Sequence, residues 1–304
     1  MINCDMLGGH SLSIIIIIII QETRWLGEGT HKEDGYKLFY GGCVDKHDFG
    51  TDFVIHDKAA NSLKGFKVVN KRISYIVLGN QVSGITFINV HAPTEDKTDE
   101  KKEELYDQLE QTIESTQIRN IRIVLGDFNG KSGKGEFYIP TIGRYSLHDE
   151  TNENGQRMIN LTISKNLRVS STYFEHKRTW CSLDGRTTNQ IEHILVDQRY
   201  SHRVMDVRSY RGADCASDHF LIVCKLKLMF TYMHKKKGTL EPALNVEKLR
   251  ESAIKEQHAI EIKNRFEVLE TLEPRKNVEE RWKEIQSTVL SVADNILGRK
   301  KTMK

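Results

Sequence analysis

The sequence is short of long apolar runs. Its longest is Ile14 to Ile20, seven isoleucines, and Gln21-Glu22-Thr23-Arg24 stops it abruptly. A helix crossing a bilayer needs roughly 20 apolar residues, so this run is too short to span one. Residues 1–10 hold Asp5 but no Lys or Arg, and no small-residue cleavage site follows, so the run does not read as a secretory signal. Cysteine is scarce too. Cys4, Cys43, Cys181, Cys215 and Cys224 stand at irregular spacings with no CxxC pair. That argues against a disulfide framework or a zinc site and suits a reducing compartment. The expectation is a nuclear or cytoplasmic protein, neither secreted nor transmembrane. Charge of one sign is also lacking: the net charge is +3 over 304 residues, so the whole-chain balance does not announce nucleic-acid binding. Locally the picture differs, with five lysines and no acid between Lys225 and Lys237.

What the chain does contain is a series of short β-branched and aromatic runs bounded by Gly, Asn, Asp or Pro. Strands are expected at 14–20, 36–40, 51–56, 73–79, 85–90, 121–126, 168–173, 190–196 and 220–228, and polyisoleucine reads as a strand buried on both faces. Thr98 or Asp99 can cap a helix carrying Leu105, Leu109 and Ile113 on one stripe, and a second helix is expected over about 156–166. Many strands with few helices predict an α/β sandwich of two packed sheets flanked by helices. After about residue 230 the character changes to a basic linker and a helical tail. Asn245 opens a helix that Pro274 ends; Asn277 opens another with Trp282, Ile285, Val289, Val292 and Ile296 on one face, stopped by Gly298. The expected division is 1–229 and 230–304.

The chemistry-bearing residues gather at strand ends. Leu125-Gly126-Asp127-Phe128-Asn129 closes an apolar strand, and residues two apart in an extended chain point the same way, so Asp127 and Asn129 can face one point. Alone, such a pair is as readily a strand-end turn. Ser217-Asp218-His219 precedes another strand, where Asp and His suit metal binding or proton transfer as well as loop capping. Glu192 lies opposite Ile191 and His193 on its strand; a lone strand carboxylate is usually solvated. Glu22 follows the isoleucines, and His91 leaves a further strand in Asn89-Val90-His91-Ala92-Pro93-Thr94. Oxygen-rich, cysteine-free groups of this kind suit Mg²⁺ or Mn²⁺, and metal-assisted phosphate-ester hydrolysis is the reaction class they fit.

QETRW, NVHAPT, LGDFN, NQIEHILVD and SDHFLIV, in that order over about residues 14–228, resemble the endonuclease/exonuclease/phosphatase family. The likeness is nearest to the apurinic-type endonuclease domain of non-LTR, RTE-like retrotransposons and to craniofacial development protein 2-like proteins. The tail phrases EPALNVEKLR and EIKNRFEVLE resemble the linker before reverse transcriptase in such elements. The resemblance implies a four-layered α/β sandwich and a Mg²⁺-dependent phosphodiesterase acting on DNA, with Mn²⁺ as an alternative metal and a downstream reverse transcriptase segment as a partner. It implies metal binding by Glu22, Asp218 and Asp127. Asp127 would position the attacking water or protonate the leaving oxygen, Asn129 would orient the phosphate, and His219 would stabilise developing charge. Glu192 stands where the family has an aspartate bonded to that histidine, and His91 where many relatives have a phosphate-contacting tyrosine.

Three departures set expectations of their own. The family's first strand, carrying an asparagine, has no counterpart motif before Gln21, so a strand and a metal-site residue are expected to be missing. Glu192 in place of Asp adds a methylene that would displace the carboxylate by about 1 Å, a shift that can cost around a hundredfold in rate. The stretch His176-Lys177-Arg178-Thr179-Trp180 is shorter than in close relatives. Two competing functions follow: a catalytically dead nuclease fold that binds nucleic acid or acts as a scaffold, using Arg178, Arg186, Arg199 and the lysines at 235–237, and a same-fold phosphatase acting on a lipid headgroup.

Overall fold

The computed structural model describes residues 2–7, 14–79, 84–175, 178–210, 212, 217–227, 244–271 and 278–299. The lysines at 235–237, His176, Lys177, Pro274, Asn277 and the Trp282 side chain lie outside the described residues. The chain divides into two compact units, Met1–Tyr232 and Met233–Lys304.

The first unit contains the strands β1 (Ile2–Leu7), β2 (Ile14–Gln21), β3 (Glu28–Glu33), β4 (Tyr36–Gly41), β5 (Thr51–His56), β6 (Leu63–Asn70), β7 (Ile73–Gly79), β8 (Gly84–His91), β9 (Ile121–Asp127), β10 (Leu167–Val169), β11 (Trp180–Cys181), β12 (Thr188–Asn189), β13 (Glu192–Asp197), β14 (Val204–Tyr210) and β15 (Leu221–Lys227). Helices α1 (Asp57–Ala60), α2 (Asp99–Ser115) and α3 (Glu153–Ser164) complete it. One sheet has the order β14-β15-β1-β2-β5-β4-β3, the other β10-β13-β9-β8-β7-β6, and β11-β12 form a separate pair. This is the expected α/β sandwich.

Period-two alternation builds its two cores. On β8, Phe87 points between the sheets and Ile88 towards the helices; on β13, Ile194 and Leu195 divide likewise. Ile17, Ile19, Phe53 and Ile55 meet Phe87, Ile123, Leu125 and Ile194 in the inter-sheet core. Leu105, Leu109 and Ile113 of α2 and Met158 and Ile159 of α3 cover Ile88, Val90, Val124 and Leu195. Strands buried on both faces read as unbroken apolar runs, which is why these were legible. Polyisoleucine departs from full double burial: Ile17 and Ile19 are sealed, but Ile18 and Ile20 are half-buried on the opposite face.

Several expectations are corrected. Ile2–Leu7 forms β1, antiparallel to β2 and parallel to β15, so a strand fills the place between them. The strand expected over 168–173 ends at Val169. There Thr172 Oγ1 donates to the Val169 carbonyl at 2.6 Å, and Ser and Thr hydroxyls that bond nearby backbone turn a chain out of a ladder. Helix α3 starts at Glu153 rather than 156, because Asn152 caps it through the Gly155 N–H at 2.8 Å. Strands β3, β6 and β14 had no apolar run to announce them; all three carry charged, exposed positions, as strands near sheet edges do.

In the second unit, Val246–Arg250 is a 3₁₀ turn, followed by α4 (Ser252–Thr271) and α5 (Val278–Leu297). The buried stripe of α5 runs through Val292, Ala293 and Leu297, whereas Val289 is exposed. Gly298, at φ 66°, ends the helix and donates to the Asp294 carbonyl.

At Gly126 the backbone admits no substitute. Its φ is 148°, and a Cβ there would lie 1.9 Å from the Val90 carbonyl oxygen of the parallel neighbour β8. Gly126→Ala is expected to destabilise the protein by about 2–4 kcal/mol, read as a lowered urea midpoint. An unchanged midpoint would show that β8 and β9 do not approach this closely.

Candidate active site

The strand register delivers three polar groups to one end of the second sheet. Asp127 closes β9 with His91 beside it on β8 and Glu192 beside it on β13. Asn129, in the left-handed region at φ 47°, turns back onto Asp127. Its N–H donates to Asp127 Oδ1 at 2.8 Å and its Nδ2 to Oδ2 at 3.2 Å and to the Ala92 carbonyl at 3.0 Å. The two residues therefore meet directly rather than merely facing one point.

The loop after Asp127 is fixed residue by residue. Asn154 Nδ2 donates to the Asn129 carbonyl at 3.2 Å, and the Lys131 N–H donates to Asn152 Oδ1 at 2.7 Å. His193 Nε2 lies 2.9 Å from the Gly130 carbonyl and its Nδ1 3.0 Å from Ser171 Oγ. Burial pushes the His193 pKa down to about 4, so the ring is neutral. A carbonyl can only accept, hence Nε2 carries the proton and Nδ1 accepts from the Ser171 hydroxyl.

Glu192 is 1% exposed, not solvated, and its Oε1 is bonded to His219 Nδ1. The added methylene thus does not carry the carboxylate away from the histidine. Burial would lower the His219 pKa, but the hydrogen bond and charge of Glu192, with Asp127 and Asp218 nearby, raise it to about 9. Burial, reinforced by the charge of Glu192, lifts Asp127 to about 7. Ligand atoms of Asp127, Glu192 and His219 lie within 4.8 Å of one another, and Glu192 Oε2 has no hydrogen-bond partner. Thr179 and Trp180 tie this group together. Thr179 Oγ1 accepts the Ile191 N–H at 3.0 Å, the Phe220 N–H donates to the Thr179 carbonyl at 2.8 Å, and Trp180 Nε1 donates to Asp218 Oδ2 at 2.7 Å.

Glu22 reaches the same end from the first sheet. Its φ is 56°, its Oε1 lies 3.3 Å from His91 Nε2, and its Oε2 accepts from Arg24 at 3.1 Å. Burial and the Arg72 guanidinium hold the His91 pKa down to about 4, so the Glu22 contact is made by a neutral ring and is not an ion pair. Arg72 Nη1 donates to the His91 carbonyl at 2.9 Å, and its guanidinium lies 4.0 Å over the Phe49 ring. The charges of Glu22 and Asp127 both act on it.

Of the residues the sequence singled out, Asp127, Asn129, Glu192 and His219 form one cluster. Glu22 pairs with His91, and Asp218 faces Trp180, with its Oδ1 3.9 Å from His219 Nε2. Glu22 and Asp218 are thus not part of the cluster of three mutually close ligands, which joins Asp127 to Glu192 and His219 instead. Arg199 pairs with Asp197 at 2.7 Å. Arg72, Thr179, Trp180 and His193 were not foreseen. Arg72 sits in the polar turn Asn70-Lys71-Arg72, which carries no motif; Trp180 belongs to a stretch noted only for its length.

The carboxylate oxygens of Asp127 and Glu192, without thiolate and with Glu192 Oε2 orphaned, suit a hard divalent cation; His219, protonated beside Glu192, is not one of the donors. Among the described residues no helix is long and apolar enough to cross a membrane.

No family model matches the chain. Over 239 residues, 77% of this chain, it is 30% identical to craniofacial development protein 2 of Bos taurus and equally to that of Tragulus javanicus. Over that stretch the chain is similar to craniofacial development protein 2. The match takes in 38% and 39% of the length of those relatives. Among solved structures, a 3′-5′ exonuclease from Neisseria meningitidis aligns with a TM-score of 0.50 at 18% identity, over 70% of this chain and 89% of that one. An AP endonuclease from Leishmania major aligns with a TM-score of 0.50 at 13% identity, over 67% and 76%. Likeness at this level shows the fold, that of the endonuclease/exonuclease/phosphatase proteins. The cluster around Asp127 occupies the ends of β8, β9 and β13.

Proposed function

We propose that the first unit is a divalent-metal-dependent phosphodiesterase that nicks DNA, of the retrotransposon endonuclease type. The observation that carries this reading is the convergence of Asp127, Glu192 and His219 within 4.8 Å, with Asp127 and His219 both holding exchangeable protons near neutral pH. The Neisseria and Leishmania neighbours, named as an exonuclease and an AP endonuclease, support it at the level of fold.

In this reading Asp127 and the unpartnered Oε2 of Glu192 would hold Mg²⁺, with Mn²⁺ as the alternative, while Glu22 and Asp218 stand outside that ligand cluster. The bound cation supplies Lewis-acid polarisation of a phosphate oxygen. Asp127 would position the attacking water or protonate the leaving oxygen, and Asn129 fixes both of its carboxylate oxygens. His219, protonated through its bond to Glu192, donates to the phosphate as negative charge grows. Neutral His91 holds Glu22 and exposes no competing positive charge.

The test is supercoiled plasmid relaxation. Nicking is expected with Mg²⁺ or Mn²⁺, to disappear with EDTA, and to return on adding excess Mg²⁺. Nicking that persists in EDTA, or none at any metal concentration, would refute the reading.

A further inference from the structure

Beside the Glu22 end of the site lies a cavity of about 370 Å³ to which no role has so far been attached. It opens between Phe49, the Asn70-Lys71-Arg72 turn and the first turns of α2. Four of its lining side chains are cationic, Lys71, Arg72, Lys97 and Lys101, against a single acid, Glu104. One wall is fixed by the Asn70 Nδ2 to Gln108 Oε1 hydrogen bond at 2.5 Å, which ties the turn to α2.

Arg72 belongs to both places. It lines the cavity, stacks on Phe49, and spends one donor on the His91 carbonyl, whose ring contacts Glu22. A guanidinium has five N–H donors in a planar fork, so several remain for a second acceptor. The backbone repeats the link: the Gly50 N–H donates to the Lys71 carbonyl at 3.2 Å, and the Glu22 N–H donates to the Gly50 carbonyl at 3.0 Å. A polyanion lying on Glu22's neighbours thus passes directly into a concave basic surface. Its excess of positive charge, four cationic side chains to one acid, suits a phosphate.

We infer that this cavity seats a backbone phosphodiester of the substrate strand other than the one being cut. The inference rests on the proposed DNA-nicking activity and assigns Lys97 and Lys101 to strand binding, with Arg72 as the link to the site. Backbone contacts of this kind position a duplex without reading its sequence.

The test is fluorescence anisotropy of a short labelled duplex over a range of KCl concentrations, with EDTA present to prevent cleavage. The Lys97→Ala/Lys101→Ala double variant is expected to bind about tenfold more weakly at moderate salt. Its log K against log salt should be shallower by about one to two, whatever the duplex sequence. In plasmid nicking the loss should fall on KM rather than kcat, and Lys97→Arg/Lys101→Arg should restore both. An unchanged salt slope overturns the inference, as does competition by inorganic phosphate at matched ionic strength, which would mark a small-anion pocket. The two readings fail separately. If nicking depends on Asp127 but the slope is unaltered, the subsite alone is wrong. If nicking is indifferent to Asp127→Ala, the phosphodiesterase reading is wrong. Absence of duplex binding by the unaltered chain overturns both.

Discussion

Asp127→Asn is expected to lower Mg²⁺-dependent nicking by about a thousandfold or more while leaving the protein more stable above pH 7. The activity loss follows from removing a group asked to move a proton, and proton transfer by a placed side chain contributes about 10²–10⁴-fold. Asparagine cannot take that proton, though it keeps the volume and can still accept the Asn129 N–H. The stability gain has the opposite sign because burial and Glu192 raise the Asp127 pKa to about 7. The native state then holds a proton that the unfolded chain has already lost, so stability falls as pH rises from about 4 through 7. The amide removes this penalty. Allowing for the lost bond from Asn129 Nδ2, which an amide nitrogen in place of Oδ2 cannot accept, the gain is about 1–2 kcal/mol at pH 8 and nothing near pH 4. Thermal melts at the two pH values read it out. A variant that loses activity and stability together would show that Asp127 serves the fold, not the chemistry.

Glu192→Gln is expected to move the alkaline limb of the pH–rate profile down by about two pH units and to reduce kcat/KM at pH 8 by about tenfold. The Glu192 hydrogen bond and charge are what lift His219 to about 9 against burial. A raised histidine pKa gives stability that is fully present below about 6.5 and is lost as pH rises through about 9. Glutamine can still accept from His219 Nδ1 but carries no charge, so both the extended protonation and its stability contribution should shrink. Rates compared from pH 6 to 9.5 separate the two effects: at pH 6 the variant should approach the parent, and at pH 9 fall furthest below it. A limb that stays in place would mean that His219 is not the group titrating there.

The parts of this design that show in the sequence are those where one local pattern decides the outcome. Asp127 was visible because a Gly-Asp step ends an apolar run, and His219 because an Asp-His pair begins another. Glu192 looked ordinary because its environment is non-local: the partner that buries and engages it is His219, 27 residues further along. Arg72 was invisible for a related reason. Its role comes from the Phe49 ring beneath it and the His91 carbonyl beside it, and neither is written into the Asn-Lys-Arg turn. The same limit applied to the fold. Buried strands such as β8 and β9 declare themselves by composition, whereas β3, β6 and β14 are strands only because a neighbour offers a ladder. The helix caps divided similarly: Asn152 works through its side chain, but Thr98 makes no side-chain cap bond.

The isoleucine strand has a property that ordinary strands lack: it is degenerate with respect to sliding. A shift by two residues along β5 would put an isoleucine wherever one had been, so hydrophobic burial cannot choose among alignments. The choice falls to the polar end. Gln21 Nε2 donates to Asn89 Oδ1 at 2.7 Å, and Asn89 Nδ2 donates in turn to the Ile20 carbonyl at 3.0 Å and the Asp52 carbonyl at 3.2 Å. One amide of the second sheet thus acts as the detent that stops the ratchet. A two-residue slip would carry Glu22 about 7 Å from His91, so the address of Glu22 is set by the polar contacts at the strand's end rather than by the seven identical residues that lead up to it.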